Sequence, residues 1–211
     1  MEHAERGIDI LAYWPFWLAF RLWFQIYMGV RVTGAEHVPR RGAVLLCGNH
    51  RSVWDPMLVG ALVLRRSWYI AKDELFRYPL LAPILRLVGA YPVRRHAADR
   101  AALKRSLEVL GAGGSLVLFP EGTRSKSGRL GPVEPGAALL ALRTGAPVVP
   151  VGIRGAYGFR SGLEVHFGEP IHLQAPPGHM RSRDLAAIVE SQIMTRVAEL
   201  TGSAHDEAAQ A

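Results

Sequence analysis

From residue 30 to residue 167, short apolar segments typical of β-strands alternate with segments of helical periodicity. The strand-like segments are Val30–Thr33, Ala43–Cys47, Trp68–Ala71, Ala90–Val93, Ser115–Phe119, Val148–Ile153 and Leu163–Phe167. The helical segments are Asp55–Leu64, Tyr78–Val88, Asp99–Leu110, Ala137–Arg143 and Arg183–Leu200. This alternation predicts a single α/β domain, residues 31–201, with a largely parallel mixed sheet flanked by helices. We expect residues 202–211 to form a flexible tail.

The first 30 residues differ in composition from the rest of the chain. Residues 10–30 are almost entirely apolar and rich in tryptophan and tyrosine, which prefer the headgroup region of a bilayer. A spanning helix needs about 20 apolar residues, and Pro15, Arg21 and Gln25 interrupt this run. We therefore expect residues 1–30 to be a membrane-associating helical segment that lies in one leaflet rather than crossing it. The alternative is a helix buried in the protein core.

The overall charge predicts an anionic partner. The 211 residues include 25 basic and 18 acidic side chains, a formal net charge of +7, which suits phosphate, a lipid headgroup or nucleic acid. No nucleic-acid-binding motif is present, so we expect no nucleic-acid partner. The single cysteine, Cys47, excludes an internal disulfide and a cysteine-rich zinc module, and it fits a reducing compartment.

Polar residues follow the strand that ends at Cys47. Residues 49–55 read Asn-His-Arg-Ser-Val-Trp-Asp, and a helix is expected to begin at the Asp-Pro pair. A turn of this length can fold the carboxylate of Asp55 back onto His50. A carboxylate on one imidazole nitrogen fixes the tautomer and leaves the other nitrogen free to act as a base. The alternative is that Asp55 is only the N-cap of the helix and His50 is structural.

A second polar segment follows the apolar strand that ends at Phe119. Residues 119–125 read Phe-Pro-Glu-Gly-Thr-Arg-Ser. Gly122 would let backbone amides approach an anion, and hydroxyl and guanidinium donors follow it. The segment therefore predicts a phosphate-binding loop, with a solvated basic turn as the alternative. Two shorter features accompany it: Arg94 ends a short strand, and residues 149–153 form a strand whose proline is typical of a sheet edge or a cleft wall.

Together these segments resemble the ordered motifs of the glycerolipid (lysophospholipid) acyltransferase family, whose bacterial type members are 1-acyl-sn-glycerol-3-phosphate acyltransferases. The family motifs are Asn-His-x4-Asp, Gly-x4-Arg, Phe-Pro-Glu-Gly-Thr-Arg-Ser and Val-Pro-Val-x-Ile. All four occur here in order, from Asn49 to Ile153, and residues 71–76 are similar to the family segment between the first two. The resemblance covers roughly residues 30–170.

The resemblance implies a role for individual residues. His50 would be the general base and Asp55 its orienting partner. The residues expected to bind the acceptor's phosphate are Arg94, Glu121, Gly122, Thr123 and Arg124, with Asn49, Lys72 and Ser125 in support. The chain departs from the family at residues 133–136, Val-Glu-Pro-Gly, where many relatives have Phe-Lys-x-Gly. The acidic Glu134 therefore stands where a basic residue is common.

The resemblance also implies a reaction and its setting. An acyltransferase of this kind would move a fatty acyl group from acyl-CoA or acyl-ACP (the acyl carrier protein thioester) to the free hydroxyl of 1-acyl-sn-glycerol-3-phosphate, giving phosphatidic acid. We expect no acyl-enzyme, because the chain has no Gly-x-Ser-x-Gly elbow. We also expect no cofactor and no metal. The expected partners are a membrane lipid acceptor, the acyl donor and an anionic membrane surface. The expected location is the cytoplasmic face of the bacterial inner membrane.

Three other functions remain open at this point. The same chemistry could act on another lyso-lipid, such as a lyso-ornithine lipid, which Glu134 favours. The arginine-rich face could belong to a non-catalytic module that binds anionic membranes. Water could also replace the acceptor hydroxyl, which would make the protein a hydrolase.

Overall fold

Seven strands form one sheet in the structure, a computed structural model that describes residues 13–94, 99–125, 130–176, 178 and 180–202. The strands are β1 (Arg31–Thr33), β2 (Val44–Gly48), β3 (Ser67–Lys72), β4 (Ala90–Val93), β5 (Ser115–Leu118), β6 (Val148–Arg154) and β7 (Glu164–Phe167). Their order in the sheet is β1-β7-β6-β2-β5-β3-β4. Strands β6, β2, β5, β3 and β4 are mutually parallel, β7 is antiparallel to β6, and β1 is parallel to β7. The predicted α/β fold with a largely parallel mixed sheet is confirmed.

Helices cover both faces of this sheet. Helix α1 is α-helical over residues 13–22 and ends in a π-helical turn, Trp23–Tyr27. The other helices are α2 (Asp55–Leu62), α3 (Leu81–Leu87), α4 (Arg100–Gly111), α5 (Gly136–Thr144), α6 (Ser182–Ile188) and α7 (Thr195–Thr201). A π-helical turn, Val189–Met194, joins α6 to α7. Helices α1 and α2 pack on one face and α4 to α7 on the other, so successive residues of β2 enter opposite cores: Leu46 lies with α2, and Leu45 lies with α5.

The predicted helix Tyr78–Val88 begins later than its apolar pattern suggests. A 3-10 turn, Asp73–Arg77, follows β3, and Tyr78 is extended because the next residue is a proline. Helix α3 therefore begins at Leu81 rather than Tyr78. Pro83 falls in the first turn of this helix, where a missing backbone N–H breaks no helical hydrogen bond.

The proline of β6 does not lie at the edge of the sheet, contrary to its sequence pattern, because β6 has neighbours on both sides. The pairing with β7 changes register beside Pro150. Val151 pairs with Phe167, whereas Val148 bridges to Ile171, which is one residue out of step. Pro150 thus lies at a bulge, the other position in a sheet that tolerates a residue without a backbone N–H.

Helix α1 is fastened to the carboxyl end of α2 by two polar side chains. The indole N–H of Trp17 donates to the carbonyls of Gly60 and Val63, at 3.2 and 3.1 Å. The guanidinium of Arg21 donates to the next carbonyls of the same turn, those of residues 61 and 62, both at 3.2 Å. The last carbonyls of a helix have no partner within it, so these contacts satisfy groups that would otherwise be unpaired. Arg21 interrupts the apolar run of the sequence for this reason.

The other side of α1 is apolar and exposed. Trp14, Leu18, Leu22 and Ile26 recur every four residues and remain in contact with solvent, while Phe24 is fully buried against the sheet. Within the described ranges, no helix is both long enough and apolar enough to cross a membrane. The first 12 residues of the predicted membrane segment, and residues 203–211 of the predicted tail, lie outside the described part of the chain.

The close approach of α2 to β3 predicts an unusual response at Gly60. Alanine usually stabilises a helix relative to glycine, by about 1 kcal/mol. A Cβ at Gly60, however, would overlap the hydroxyl of the buried Tyr69. We expect Gly60→Ala to lower the free energy of unfolding by about 1–3 kcal/mol, because the Tyr69 ring must move within a packed core. Urea unfolding followed by circular dichroism measures the effect.

Gly111 provides the matched control. It lies in α4, and a Cβ there would have no heavy atom within 4 Å. Gly111→Ala should therefore raise the free energy of unfolding by up to about 1 kcal/mol. If Gly60→Ala were stabilising as well, the packing of α2 against Tyr69 described here would be wrong.

Candidate active site

The parallel strands bring the predicted site residues to one edge of the sheet. His50 follows β2, Arg124 lies in the loop after β5, Lys72 is the last residue of β3, and Arg94 follows β4. These four strands are consecutive in the sheet, and their carboxyl ends share an edge. At about 4.8 Å between neighbouring strands, the ends of β2 and β4 are separated by about 14 Å along this edge. Ligands of open α/β sheets bind at such an edge.

His50 and Asp55 form the predicted pair. Nδ1 of His50 lies 2.9 Å from Oδ2 of Asp55. Because a carboxylate only accepts hydrogen bonds, Nδ1 carries the hydrogen, and Nε2 presents a lone pair. The Asp55 side chain is completely buried, whereas that of His50 retains 13% exposure. In the described part of the chain, no hydrogen-bond donor or acceptor contacts Nε2.

The Asp55 carboxylate also organises the turn that carries His50. Its Oδ2 accepts hydrogen bonds from the backbone N–H groups of Arg51, at 2.6 Å, and Ser52, at 2.7 Å. Helix α2 begins with Asp55 itself, and Trp54 occupies the N-cap position. The alternative in which Asp55 caps the helix is therefore wrong. Its carboxylate turns back to the preceding turn instead of bonding to the amides of the helix.

The His50 imidazole is also held by a stacking contact on one face of its ring. Its ring stacks on Phe119, with 4.4 Å between ring centroids and 21° between ring planes. Phe119 directly follows β5, the strand next to β2. A hydrogen bond in the ring plane and an aromatic ring on one face together leave one orientation for the imidazole.

Tyr157 is a site residue that the sequence analysis missed. It lies in the loop of residues 155–162 that follows β6, and its hydroxyl donates a hydrogen bond to Oδ1 of Asp55. Burial and the charge of Asp55 raise the pKa of Tyr157, so the phenol stays protonated and remains a donor. No motif marks this tyrosine. The available signal is its place just after β6, the strand that adjoins β2 on the side away from β5.

Asn49, predicted as a supporting residue, links the ends of β2 and β6. Its side-chain amide donates to the carbonyl of Ile153 at 2.9 Å and accepts from the N–H of the same residue at 2.8 Å. The side chain is buried. It continues the hydrogen bonding between the two strands by one step, which fixes the position where the chain turns into His50.

Glu121 makes contacts that hold the two polar loops together. Oε1 accepts from the backbone N–H of His50 at 3.0 Å, and Oε2 accepts from that of Gly131 at 3.1 Å. Burial raises the pKa of Glu121, and the two amide hydrogen bonds oppose this effect. Its predicted contact with the acceptor's phosphate stays a prediction, because its carboxylate oxygens are bonded to the protein backbone.

The loop after β5 passes directly beside His50. The N–H of Ser125 donates to the carbonyl of His50 at 2.8 Å, while Thr123 and Arg124 are exposed to solvent. Gly122 has a φ of +64°, the left-handed conformation that favours glycine. The side chain of Glu134 packs against Gly122, where its Cγ would lie 3.2 Å from an added Cβ. An acidic side chain therefore borders the predicted phosphate loop.

The two remaining predicted residues lie further along the edge. Lys72 is exposed at the end of β3. The side chain of Arg94 is 76% exposed, with Nε 3.9 Å from Oδ2 of Asp99, and its backbone N–H donates to the same oxygen at 2.8 Å. Lys72 and Arg94 lie at the same edge of the sheet as His50. The side-chain contacts of His50 itself are with Asp55 and Phe119.

The cysteine is unsuited to nucleophilic attack. Cys47 is completely buried in β2, and burial raises the pKa of its thiol far above the ordinary range. Within the described ranges, no group of three or more His, Cys, Asp or Glu side chains is arranged to hold a metal ion.

The fold and site define an α/β protein in which a buried carboxylate orients an imidazole beside a loop that exposes Thr123 and Arg124. The chain belongs to the acyltransferase family, whose sequence model matches residues 29–154.

Relatives with known names are similar to most of this chain. The 1-acyl-sn-glycerol-3-phosphate acyltransferase of Bacillus subtilis is 29% identical over 178 residues, 82% of this chain and 88% of the relative. That of Borreliella burgdorferi is 28% identical over 176 residues, 79% of this chain and 70% of the relative. The chloroplastic enzyme BAT2 of Brassica napus is 34% identical over 143 residues, and this chain spans only 41% of its length.

A solved structure has the same fold. The crystal structure of the 1-acyl-sn-glycerophosphate acyltransferase PlsC from Thermotoga maritima superposes with a TM-score of 0.66 at 29% sequence identity. The match covers 94% of this chain and 82% of the other. The fold likeness therefore extends beyond the residues matched by the family.

The raised pKa of Glu121 predicts how pH affects stability. Because the folded state binds this proton more tightly than the unfolded state, the contribution of Glu121 is most favourable at low pH and is lost as pH rises through the folded pKa. We expect the wild type to become more stable relative to Glu121→Gln on going from about pH 8 to about pH 5. Urea titrations of both proteins at each pH measure this. A shift in the opposite direction would mean that the amide hydrogen bonds outweigh burial.

Proposed function

We propose that the protein transfers a fatty acyl group from an acyl thioester to the free hydroxyl of 1-acyl-sn-glycerol-3-phosphate, giving phosphatidic acid. The observation that carries the proposal is the pair of His50 and Asp55, in which no described residue bonds to Nε2. The hydrogen bond from the N–H of Ser125 to the carbonyl of His50 fixes this pair beside the loop that exposes Arg124. The names of the relatives, 1-acyl-sn-glycerol-3-phosphate acyltransferases, support the choice of acceptor.

His50 would move one proton during the reaction. Nε2 removes it from the acceptor hydroxyl as that oxygen attacks the thioester carbonyl carbon. The carbon–sulfur bond then breaks, and the imidazolium, held by Asp55, gives the proton to the leaving thiolate. The products are an oxygen ester and a free thiol. General-base help of this kind contributes about 10²–10⁴-fold, so binding both substrates in the correct orientation must provide much of the rest.

The acceptor's phosphate would bind at the basic edge of the sheet. Arg124 and Thr123 are exposed in the loop next to His50, and Arg94 and Lys72 add positive charge further along. Guanidinium groups bind phosphate through paired hydrogen bonds. A phosphate held here would place the glycerol hydroxyl near Nε2. The donor would be acyl-CoA or acyl carrier protein, as a co-substrate, and the mechanism uses no metal or cofactor.

A second acceptor class is favoured by one observation. Glu134 packs against Gly122 in the predicted phosphate loop. Its negative charge would weaken phosphate binding there and would suit a lyso-lipid with a cationic headgroup, such as a lyso-ornithine lipid. The transfer chemistry at His50 would be the same.

The exposed apolar face of α1 would bind a membrane. It continues towards the active site through aromatic contacts: Trp23 lies 5.0 Å from Trp54, and Tyr27 lies 5.5 Å from Phe159, measured between ring centroids. Trp54 immediately precedes Asp55 in sequence. A bilayer that covered these side chains would therefore lie next to the catalytic pair, so a lipid acceptor could enter without crossing water. This apolar face supports a membrane-bound location, and the cytoplasmic face of the inner membrane is the location that we propose from the family resemblance.

The catalytic proposal predicts the effect of His50→Ala. We expect it to reduce the rate of acyl transfer from labelled acyl-CoA to 1-acyl-sn-glycerol-3-phosphate by about 10²–10⁴-fold, with an unchanged circular dichroism spectrum. His172→Ala is the matched control, because His172 is exposed after β7. Thin-layer chromatography of the lipid products measures the rate. Wild-type activity in His50→Ala would exclude the mechanism, whereas an absence of transfer by the wild type itself would favour a non-catalytic membrane module.

A panel of acceptors in the same assay identifies the headgroup. The proposal expects turnover of the phosphate-bearing lyso-lipid in preference to lyso-ornithine lipid and monoacylglycerol. Turnover of only the phosphate-free acceptors would reject the phosphate assignment. Release of free fatty acid without an acceptor, at the rate of transfer, would identify a hydrolase.

The membrane proposal predicts a loss of vesicle binding when α1 is charged. We expect Leu22→Glu with Ile26→Glu to weaken binding to vesicles of phosphatidylglycerol and phosphatidylethanolamine at least ~100-fold, because two side chains lose their burial in lipid. Leu64→Glu, which charges an exposed leucine beyond the end of α2, should bind like the wild type. Flotation in a density gradient measures bound protein. Equal loss in both variants would mean that α1 is not the specific contact.

A further inference from the structure

The two oxygens of the Asp55 carboxylate differ in the number of hydrogen bonds that they accept. Oδ2 accepts three hydrogen bonds, from Nδ1 of His50 and from the backbone N–H groups of Arg51 and Ser52. Oδ1 accepts one, from the hydroxyl of Tyr157, which is its one partner in the described part of the chain. The carboxylate is completely buried. Removing that hydroxyl would therefore leave a buried, charged oxygen without a donor.

The geometry points to Tyr157 as a positioning residue that sets how strongly Asp55 holds the imidazole of His50. The inference rests on the proposed function, since it concerns the same base. Tyr157 does not reach the reacting atoms and would act through Asp55 alone. Neither the family motifs nor the sequence pattern assigns it a role, because it follows the last motif by four residues.

The loop of residues 155–162 is built to hold this tyrosine in place. Gly155 has a φ of +88°, and its backbone approaches that of Gly162 so closely that a Cβ would overlap the carbonyl of Gly162. The hydroxyl of Ser161 donates to the carbonyl of Ala156 at 2.5 Å. These contacts close the loop on itself, so Tyr157 presents its hydroxyl from a defined backbone rather than from a freely moving chain.

Two further contacts fasten this loop to the rest of the site. The guanidinium of Arg51, from the turn that carries His50, donates to the carbonyl of Gly155 at 2.8 Å. On the other side, the N–H of Arg160 donates to the carbonyl of Tyr27 at the end of α1. The tyrosine is thus supported from both the catalytic turn and the membrane-facing helix.

The hydrogen bond has a defined electrostatic consequence. The hydrogen bond from Tyr157 draws part of the negative charge of Asp55 towards Oδ1 and away from Oδ2. This weakens the attraction between the carboxylate and a protonated His50. Without this donor, the carboxylate would hold the imidazolium more strongly. The imidazole would then keep its proton to higher pH, and the neutral base would form later in a pH titration.

Tyr157→Phe tests the inference in the acyl-transfer assay. We expect kcat to fall by about 10- to 100-fold, because a carboxylate without the donor to Oδ1 no longer holds the imidazole in one orientation. We expect little change in KM for either substrate. The acid limb of the pH profile of kcat/KM should move to higher pH. Tyr91→Phe is the matched control: it also removes a buried tyrosine hydrogen bond, 2.7 Å long, to Ser106. That variant should lose stability without moving the acid limb.

Nuclear magnetic resonance provides a readout that needs no substrate. The Cε1 signal of His50, assigned by its loss in His50→Ala, is titrated in the wild type, Tyr157→Phe and Tyr91→Phe. The inference expects a later midpoint in Tyr157→Phe alone. If the wild type acylated no lyso-lipid but this midpoint still moved, the proposed function would fail and the inference would stand. If the midpoint and the pH profile stayed at their wild-type positions, or if Tyr91→Phe moved them equally, Tyr157 would be only a packing residue.

Discussion

The site depends on one buried charge, the carboxylate of Asp55. A carboxylate without water is tolerated only when hydrogen bonds replace its hydration, and four donors do so here. They come from the side chains of His50 and Tyr157 and from the backbone of Arg51 and Ser52. These donors belong to loops after two neighbouring strands, β2 and β6. The charge therefore joins the two loops and fixes the imidazole with the same contacts.

Helix α2 connects this charge to helix α1, whose outer side is apolar and exposed. Its first residue is Asp55, and the positive end of the helix dipole favours an anion at that position. Its last carbonyls receive the donors of Trp17 and Arg21 from α1. A helix of only eight residues thus has the buried carboxylate of Asp55 at one end and contacts with α1 at the other. Helix α2 is short, and polar groups at both of its ends are paired. It therefore fixes the position of α1 relative to His50 and Asp55.

The sequence predicts the fold well because its signals are local. Apolar runs of strand length and segments with helical periodicity recur with short connections, and each gives an element of the predicted type, although α3 begins late and a π-helical turn interrupts the last helix. Pairing His50 with Asp55 was predictable for the same reason, since five residues separate them. Tyr157 was not, because its contact with Asp55 joins residues 102 positions apart and depends on the strand order β6-β2, which no local pattern encodes. The position of Pro150 was missed for a similar reason: a bulge is a property of two paired strands.

The same strand order explains how one edge of the sheet could bind a molecule that has an apolar part and an anionic part. Reading along the sheet from β6 to β4, the carboxyl ends present the Tyr157 loop, His50, the loop of Arg124, Lys72 and then Arg94. The aromatic side chains that continue from α1 adjoin the Tyr157 end, while Arg124, Lys72 and Arg94 lie towards the other end. An amphiphile bound along this edge would keep its apolar part towards the exposed aromatic surface and its anionic part towards the arginines. The imidazole lies between the two, where a hydroxyl at the junction of headgroup and acyl chain would be found.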